Sequence, residues 1–226
     1  MFPIVFNPPI QVGRPSGLRS FVSCRAGASN INGPTVADPE AGVLFVAVDR
    51  ACRAENLVPG AQMDKPNDPK TTGRTLSQWV VANRGDLRGP QGLPIWKPPY
   101  GRIIAIDMRT GEFLWETPNG DSPDFIRNHP LLKGRDIPPT GRPGHAIMLP
   151  TKTLLLMAPP GLPVLYALDK TTGKRVGTVK LPAPGQYGMM GYLHRGKQHV
   201  VVQIGSGTHA GSLVALRLPG ELPAGH

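Results

Sequence analysis

Short runs of hydrophobic residues alternate with turn residues along most of the chain, most clearly from Gly101 to Trp115. That stretch, GRIIAIDMRTGEFLW, has a strand-like apolar run, a tight turn at residues 108–111 and a second short strand. The pattern returns at residues 163–177 as PVLYALDKTTGKRVG, and in shortened form at residues 211–220 as GSLVALRLPG. Each full copy predicts an antiparallel hairpin, and a repeated hairpin is typical of arrays whose units pack face to face.

An aspartate precedes each full turn and a glycine closes it. The pairs are Asp107 with Gly111 and Asp169 with Gly173, and the glycines stand where positive φ is needed. Because the aspartates occupy the same place in both copies, we expect them to accept hydrogen bonds from turn N–H groups rather than to act in catalysis. We interpret Trp115 as packing between neighbouring sheets.

The predicted strands group in fours. The first group joins PTVAD, a DPEAG turn and VLFVAV to the hairpin at 101–115, and the second has strands at 145–149, 153–158, 164–168 and 174–181. The third has strands at 187–193, 199–205 and 212–218 and lacks a fourth. Four-stranded antiparallel units repeated in sequence predict propeller blades. We therefore predict an all-β fold, a partial β-propeller of about three blades with the last one incomplete.

The strand groups divide the chain into three predicted regions. An N-terminal strand and loop segment covers residues 1–32, with its strand at 2–6, and a polar tail covers 220–226. The partial propeller covers residues 33–219, with blades at 33–117, 144–182 and 187–218.

A long polar insert at residues 49–99 interrupts the first blade. It holds one helix-capable piece at residues 75–83, and its proline-rich end at 89–101 predicts an extended run over a surface. A structureless connection of this length is usually functional or mobile.

The composition of the chain argues against several classes of protein. The 226 residues are 39% hydrophobic and 18% charged, which is enough for a sizeable core in one all-β domain or two small ones. The net charge is +10, but the lysines and arginines are scattered, so we expect no nucleic-acid partner. The sequence has no run of about 18 apolar residues, so we expect no transmembrane helix. The first residues, MFPIVFNPPIQVGR, have no basic stretch before the apolar ones, so we expect no signal peptide.

Cysteines and histidines offer few candidate sites. Cys24 and Cys52 are too few for a disulfide scaffold or a zinc knuckle. They could pair if the strand near Val22 lies beside the one near Val48, or remain two thiols, and both alternatives stay open. The histidines show no metal-binding spacing. Motifs of serine hydrolases, zinc proteases and P-loop proteins do not occur.

Several segments resemble the quinoprotein dehydrogenases that bind pyrroloquinoline quinone (PQQ). AIDMRTGEFLW and YALDKTTGKRV resemble the docking motif A-x-D-x-x-T-G-x-x-x-W of their eight-bladed propellers. Residues 89–121 and 181–205 are similar to the C-terminal part of the membrane-type glucose dehydrogenase branch. Residues 27–48 resemble that branch's segment G-G-x-N-W-x-G-x-x-x-D-P-x-x-G-x-L-Y-V. The resemblance covers residues 20–219.

The resemblance implies candidate cofactor-binding residues. Asn30 matches the asparagine that reaches the cofactor ring system, although Ile31 replaces the neighbouring tryptophan. Arg142 and His145 belong to the loop RPGH, which matches a loop that helps to floor the cofactor pocket. The glycine-rich turn of the family is replaced at residues 158–161 by APPG. Asn30 could instead cap a turn, and His145 could be an ordinary surface residue.

The resemblance also implies what the chain does and what it lacks. It implies a periplasmic PQQ enzyme that oxidises a sugar or alcohol C–OH group to a carbonyl. The catalytic aspartate and calcium ligands of that family lie in earlier blades, so we assign no catalytic or metal-binding residue here. One hypothesis is therefore the C-terminal portion of such an enzyme, inactive alone and completed by another chain or by self-association. The alternative is a non-catalytic propeller-type binding or scaffold module.

Overall fold

A computed structural model of the chain describes residues 21–24, 28–29, 35–50, 52–60 and 78–217. The strands of these residues, numbered in chain order, are β1 (Phe21–Cys24), β2 (Ala28–Ser29), β3 (Val36–Asp38), β4 (Val43–Asp49), β5 (Cys52–Pro59), β6 (Trp79–Asp86), β7 (Gly101–Asp107), β8 (Phe113–Pro118), β9 (Ile147–Pro150), β10 (Leu154–Ala158), β11 (Val164–Asp169), β12 (Arg175–Lys180), β13 (Gly185–His194), β14 (Lys197–Ile204) and β15 (Ser212–Arg217). One helical turn, α1 (Asp124–Arg127), and a short 3-10 helix (Pro130–Leu132) lie between β8 and β9. No helix of the described residues has the length and hydrophobicity to span a membrane.

The chain divides into two compact units, one made of Met1–Ala26 with Arg50–Lys97 and the other of Gly27–Asp49 with Pro98–His226. The first unit holds a three-stranded antiparallel sheet in the order β1-β5-β6. Its register places Cys24 opposite Cys52, the only other cysteine of the sequence, and Cys52 is disulfide-bonded. The strand of Cys24 thus pairs with β5, the strand that holds Cys52 itself.

The insert at 49–99 is not structureless, since it contributes β5 and β6 to this sheet. The expectation of a helical piece at residues 75–83 is wrong where the structure describes it, because Trp79 begins β6. Trp79, Val80 and Val81 are strong strand formers, and the ladder to β5 satisfies their backbone groups.

The second unit contains three antiparallel sheets. The first has the order β2-β4-β7-β8, and β3 also pairs with β4. The second is the meander β9-β10-β11-β12, and the third has the order β13-β14-β15. The predicted all-β fold class is confirmed, and the predicted strands recur in these three sheets, to which β2 adds a fifth strand in the first sheet. The predicted strand at residues 2–6 and the tail at 220–226 lie outside the described residues.

The core lies between successive sheets. Between the first two sheets, Phe45 and Ile103 meet Leu155 and Met157, all fully buried. A second cluster joins the other face of the second sheet to the third, around Val202. Each sheet of hydrophobic strands thus buries its side chains against the next one.

Trp115 and the turn after β11 join the first two sheets. Gly173, with φ +70°, lies flat against the Trp115 indole, so that a Cβ there would overlap the ring. Lys170, in the same turn, forms a salt bridge with the buried Asp38 and donates a hydrogen bond to the Thr151 carbonyl at 2.9 Å. The prediction that Trp115 packs between sheets is confirmed.

The aspartates before the turns accept backbone hydrogen bonds, as predicted. Asp107 Oδ1 accepts from the Arg109 N–H at 2.8 Å, and Asp169 Oδ1 accepts from the Thr171 N–H at 3.0 Å. Hydrogen bonds from the Arg109 side chain, above all, lower the pKa of Asp107. The hydroxyls of Thr171 and Thr172 do the same for the pKa of Asp169.

Candidate functional site

A cleft opens where the second and third sheets meet, and we take it as the candidate functional site. Its volume is about 410 Å³, within the range of small-molecule pockets. Its walls are mostly glycine, proline and polar residues, namely Gly144, His145, Ile147, Pro160, Gly161, Gly185, Gln186 and Tyr187.

Three chain segments form the cleft because the strands they connect are neighbours. Residues 140–146 lead into β9, residues 159–163 join β10 to β11, and Gly185 begins β13. The segments approach closely: a Cβ on Gly185 would lie 2.7 Å from the Ala158 Cβ. Glycine is therefore required at 185 for the third sheet to sit against the second.

The rim of the cleft carries groups that can contact a ligand. Tyr187 is 74% exposed, and His145 is also exposed. Gln186 Nε2 donates to the Gly205 carbonyl at 2.9 Å, which fixes its side chain. An aromatic ring, an imidazole and flat backbone walls can together bind a planar, partly polar molecule.

The loop of residues 140–145 is fixed to the first sheet by its backbone. The Tyr100 N–H donates to the Thr140 carbonyl at 2.7 Å, and the Arg142 N–H donates to the Asn119 carbonyl at 2.8 Å. The Thr140 N–H donates to the Ser122 hydroxyl at 3.0 Å. The loop that holds Arg142 and His145 therefore has a defined position relative to the strands.

Buried polar atoms without a hydrogen-bond partner lie on or next to this loop. They are Arg142 Nε, Thr140 Oγ1 and Asn119 Oδ1. Desolvating a guanidinium donor without an acceptor is costly, so an acceptor supplied from outside the described residues would be stabilising at Arg142.

The predicted cofactor-binding residues differ in their position relative to the cleft. His145 lines the cleft, and Arg142 precedes it in the same loop without lining the cleft itself. The replaced turn at 158–161 also reaches the site, through Pro160 and Gly161. Asn30 lies outside the described residues.

Sequence reasoning missed Tyr187, Gln186 and Asn119. Tyr187 and Gln186 stand beside Gly185 at the start of a predicted strand, and the adjacent glycine was the available signal of close backbone approach. Asn119 follows β8 inside the family-like segment 89–121, but nothing in the sequence distinguishes it there from an ordinary polar residue.

A second, smaller cavity of about 170 Å³ lies beside Asp121, Tyr166 and Arg175. Tyr166 Oη donates to Asp121 Oδ2 at 3.0 Å, and the Arg175 guanidinium stacks 4.6 Å from the Tyr166 ring. Burial, and then the hydrogen bond to Asp121, raise the pKa of Tyr166. These groups satisfy each other and fasten the second sheet to the connection after β8.

The described part of the chain holds no cluster of three or more histidine, cysteine, aspartate or glutamate residues suited to a metal ion. Tyr192 stacks on His199 with ring centroids 5.0 Å apart, and His199 Nδ1 lies 3.1 Å from the Lys197 carbonyl oxygen.

Comparison with known proteins gives one family and several relatives. The family model "PQQ: Glucose/ethanol/alcohol dehydrogenase, beta-propeller domain" matches residues 5–200. The chain is 32% identical to the quinoprotein glucose dehydrogenase of Escherichia coli (strain K12), over 73% of this chain and 22% of that protein. It is 32% identical to the glycerol dehydrogenase large subunit of Gluconobacter oxydans (strain 621H), over 74% of this chain and 25% of that protein.

Among solved structures, the quinohemoprotein alcohol dehydrogenase from Comamonas testosteroni is similar with a TM-score of 0.46 and 16% identity. The similarity covers 76% of this chain and 22% of that one. The chain thus spans between about a fifth and a quarter of the length of these two curated relatives.

Proposed function

Because the chain belongs to the PQQ glucose/ethanol/alcohol dehydrogenase β-propeller family, we propose that it forms the C-terminal portion of a dehydrogenase oxidising sugars or alcohols. The reaction of the whole protein would convert a C–OH group to a carbonyl by loss of two electrons and two protons. The observation that carries the proposal is the family-model match over residues 5–200, nearly the whole chain.

The proposed substrate class is small and rich in hydroxyl groups. The relatives include quinoprotein glucose dehydrogenases, a quinate/shikimate dehydrogenase (quinone) and glycerol dehydrogenase large subunits. The molecules in these names share secondary or primary alcohols and little else. A hydroxyl-rich sugar, polyol or cyclic hydroxy acid is therefore the class we propose.

The residues of the cleft fit the cofactor of this family. PQQ is a flat quinone that carries carboxylates, and when bound it supplies the electron acceptor. The glycine and proline walls suit a flat ring system, and the cleft volume of about 410 Å³ suffices for one. Arg142 does not line the cleft, but its Nε, in the adjoining loop, is a buried donor without an acceptor among the described residues, which a carboxylate would satisfy.

In this proposal each of the candidate residues has a separate task. Arg142 offers a donor to a carboxylate of the cofactor from beside the cleft, since it does not line the wall itself. His145 contributes a hydrogen bond from the wall of the cleft, and Tyr187 covers its open side. Asn30 stays a candidate contact by resemblance. No catalytic base and no calcium ligand are assigned to the described residues, so turnover requires the remainder of such an enzyme.

We further propose a periplasmic location. Disulfides persist in oxidising compartments and are rare in the cytosol. Cys52 is disulfide-bonded, which supports the compartment that the family resemblance implies.

A non-catalytic binding or scaffold module is the second candidate. The losses at Ile31 and at residues 158–161, both relative to the family pattern, favour it. In that case the sheets would still pack as described, because Trp115 and Gly173 are retained, but the cleft would bind no cofactor.

Reconstitution of the purified chain with PQQ and Ca²⁺ tests the proposal. Binding is measured by visible absorption and tryptophan fluorescence, and turnover by a dye-linked assay with glucose and simple alcohols. We expect bound PQQ without turnover, and a loss of affinity of about tenfold or more in Arg142→Gln, since one charge-assisted hydrogen bond is removed.

Arg135→Gln is the matched control, because Arg135 is exposed on the connection after the 3-10 helix. Absence of PQQ binding by the unaltered chain would favour the scaffold candidate. Turnover by the chain alone would contradict its proposed inactivity in isolation.

A further inference from the structure

We propose that Asn119 is the positioning residue of the cleft, holding the loop of Arg142 and His145 in the geometry that binds the cofactor. This inference rests on the proposed function, and it assigns Asn119 no contact with cofactor or substrate. Asn119 lies within the segment 89–121 that carries the family resemblance, but it is none of the residues to which that resemblance assigns a role.

Asn119 bonds to the loop at three points. It is fully buried directly after β8, and its Nδ2 donates to the carbonyl oxygens of Gly144 at 3.2 Å and of Arg142 at 3.4 Å. The main-chain carbonyl of Asn119 accepts a hydrogen bond from the Arg142 N–H at 2.8 Å. One amide side chain therefore fixes the backbone on both sides of Pro143.

The first sheet fixes Asn119 in turn. The Asn119 N–H donates to the Gly101 carbonyl at 2.8 Å, which extends the pairing of β7 with β8 by one residue. The backbones here are so close that a Cβ on Gly101 would overlap the Arg142 carbonyl, and a Cβ on Gly141 would overlap the Gly101 carbonyl. The backbone of the loop thus packs against the end of the first sheet, and the Asn119 side chain bonds the two together.

The atoms that Asn119 holds are those that shape the cleft. Gly144, whose carbonyl it binds, lines the cleft, and a Cβ on Gly144 would lie 3.3 Å from the Pro160 Cβ on the opposite wall. His145 follows Gly144 directly and also lines the cleft. A shift of the Gly144 peptide would move the imidazole and narrow or open the gap to Pro160.

The chemistry of the position requires an asparagine. Only a primary amide offers two N–H donors in one plane at this short reach. Aspartate has the same shape but, when ionised, would place negative charge against two carbonyl oxygens. Serine has one donor on a shorter side chain, and would leave at least one buried carbonyl without its partner, at a cost in loop order.

The test compares Asn119→Asp and Asn119→Ser with the unaltered full chain. Asn128→Asp is the matched control, because Asn128 is exposed and the chemical change is identical. We measure PQQ affinity by fluorescence titration, amide hydrogen exchange without ligand, and the melting temperature. We expect both Asn119 variants to bind PQQ about tenfold more weakly, and Asn128→Asp to bind within about twofold of the unaltered chain.

Hydrogen exchange separates positioning from global destabilisation. We expect faster exchange at Arg142, Gly144 and His145 in the Asn119 variants, with unchanged protection in β10 and β11. Between about pH 8 and about pH 5 the affinity of Asn119→Asp should recover relative to the unaltered chain, since a neutral carboxyl regains one donor. Equal affinity of the Asn119 variants and the unaltered chain would overturn the inference.

A measurement without variants covers the case in which they do not fold. If the Asn119 side chain positions the loop, its own Nδ2 protons in the unaltered, ligand-free chain exchange as slowly as the backbone amides of β9, because they bond to the carbonyls of Arg142 and Gly144. Exchange of those side-chain protons at the rate of an exposed amide would overturn the inference. Failure of the unaltered chain to bind PQQ would instead count against the proposed function, while the exchange data would still decide whether Asn119 holds the loop.

Discussion

Trp115 Nε1 donates a hydrogen bond to the carbonyl oxygen of Lys170 at 3.0 Å, and so joins the outer strand of the first sheet to the turn of the second. The same indole packs 5.7 Å from the Phe45 ring, measured between centroids. Phe45 belongs to the same sheet as Trp115, so the contacts of the indole with the second sheet are this hydrogen bond and the packing of Gly173 against the ring.

We predict that Trp115→Phe lowers the free energy of unfolding by about 1–2 kcal/mol, because the Lys170 carbonyl loses its partner while much of the packing stays. Trp115→Ala should cost about 3–5 kcal/mol, since packing is lost as well. Urea unfolding measures both. Trp96→Phe is the control, because Trp96 is 45% exposed and should change stability by less than about 0.5 kcal/mol. Equal effects at the two positions would contradict the assigned role of Trp115.

Gly173→Ala should destabilise the chain far more than Gly111→Ala. Both glycines close equivalent turns, with φ of +70° and +76°. Only at Gly173 would a Cβ overlap the Trp115 ring, while nothing lies within 4 Å of a Cβ at Gly111. Both variants carry the left-handed backbone cost of about 1–2 kcal/mol, and the difference between them reports the contact with Trp115. Similar thermal unfolding of the two variants would show that the indole does not pack on Gly173.

The buried pair of Asp38 and Lys170 makes stability depend on pH. The hydrogen bond from Lys170, above all, lowers the pKa of Asp38 in the folded chain. The stabilisation is therefore complete above the unfolded-state pKa of about 3.9 and is lost as pH falls through the lower folded-state value.

Asp38→Asn should cost about 3 kcal/mol at pH 7, because Lys170 keeps a buried charge without its partner. This difference from the unaltered chain should begin to shrink as pH falls below the unfolded-state pKa of about 3.9, and it is lost as pH falls through the lower folded-state pKa of Asp38. Asp86→Asn, in a half-exposed pair with Arg53, is the control and should cost less than about 1 kcal/mol. A pH-independent effect of Asp38→Asn in denaturant titrations would exclude the ion pair as its cause.

The outer face of the third sheet should cause the isolated chain to self-associate. Leu213 is 72% and Met190 56% exposed on that face. Leu213→Lys should weaken association by about tenfold or more in sedimentation equilibrium, since an apolar contact is replaced by a charge. Phe113→Lys, on the outer strand β8 with 62% exposure, serves as control. A monodisperse monomer of the unaltered chain would refute this prediction.

The sequence predicts the three sheets of the second unit well because their strands follow one another along the chain. The meander from Ile147 to Lys180 needs only local turns, and its apolar runs are bounded by glycine, proline and aspartate. The same local rules predict the hydrogen bonds of Asp107 and Asp169.

The features that the sequence did not predict depend on contacts between segments that are far apart in the sequence. The sheet of the first unit pairs Phe21–Cys24 with a strand about thirty residues later, and neither strand alternates cleanly between apolar and polar residues. Asn119 escapes prediction for a similar reason, since its role arises only where residues 101, 119 and 142–144 meet. His145 could be predicted at the cleft from its resemblance to a family loop, whereas Tyr187 could not.

Two of the bonds made by Lys170, those with Trp115 and Asp38, constrain evolutionary substitution at this interface in different ways. Trp115 donates to the main-chain carbonyl of residue 170, which any amino acid would provide. The tryptophan can therefore be retained while the amino acid at position 170 changes. Asp38 bonds to the ammonium group of Lys170, so a neutral residue at position 170 would leave the buried carboxylate without its charged partner. Across descendants of this chain we therefore expect positions 38 and 170 to be exchanged together, and position 115 to vary, if at all, independently of them.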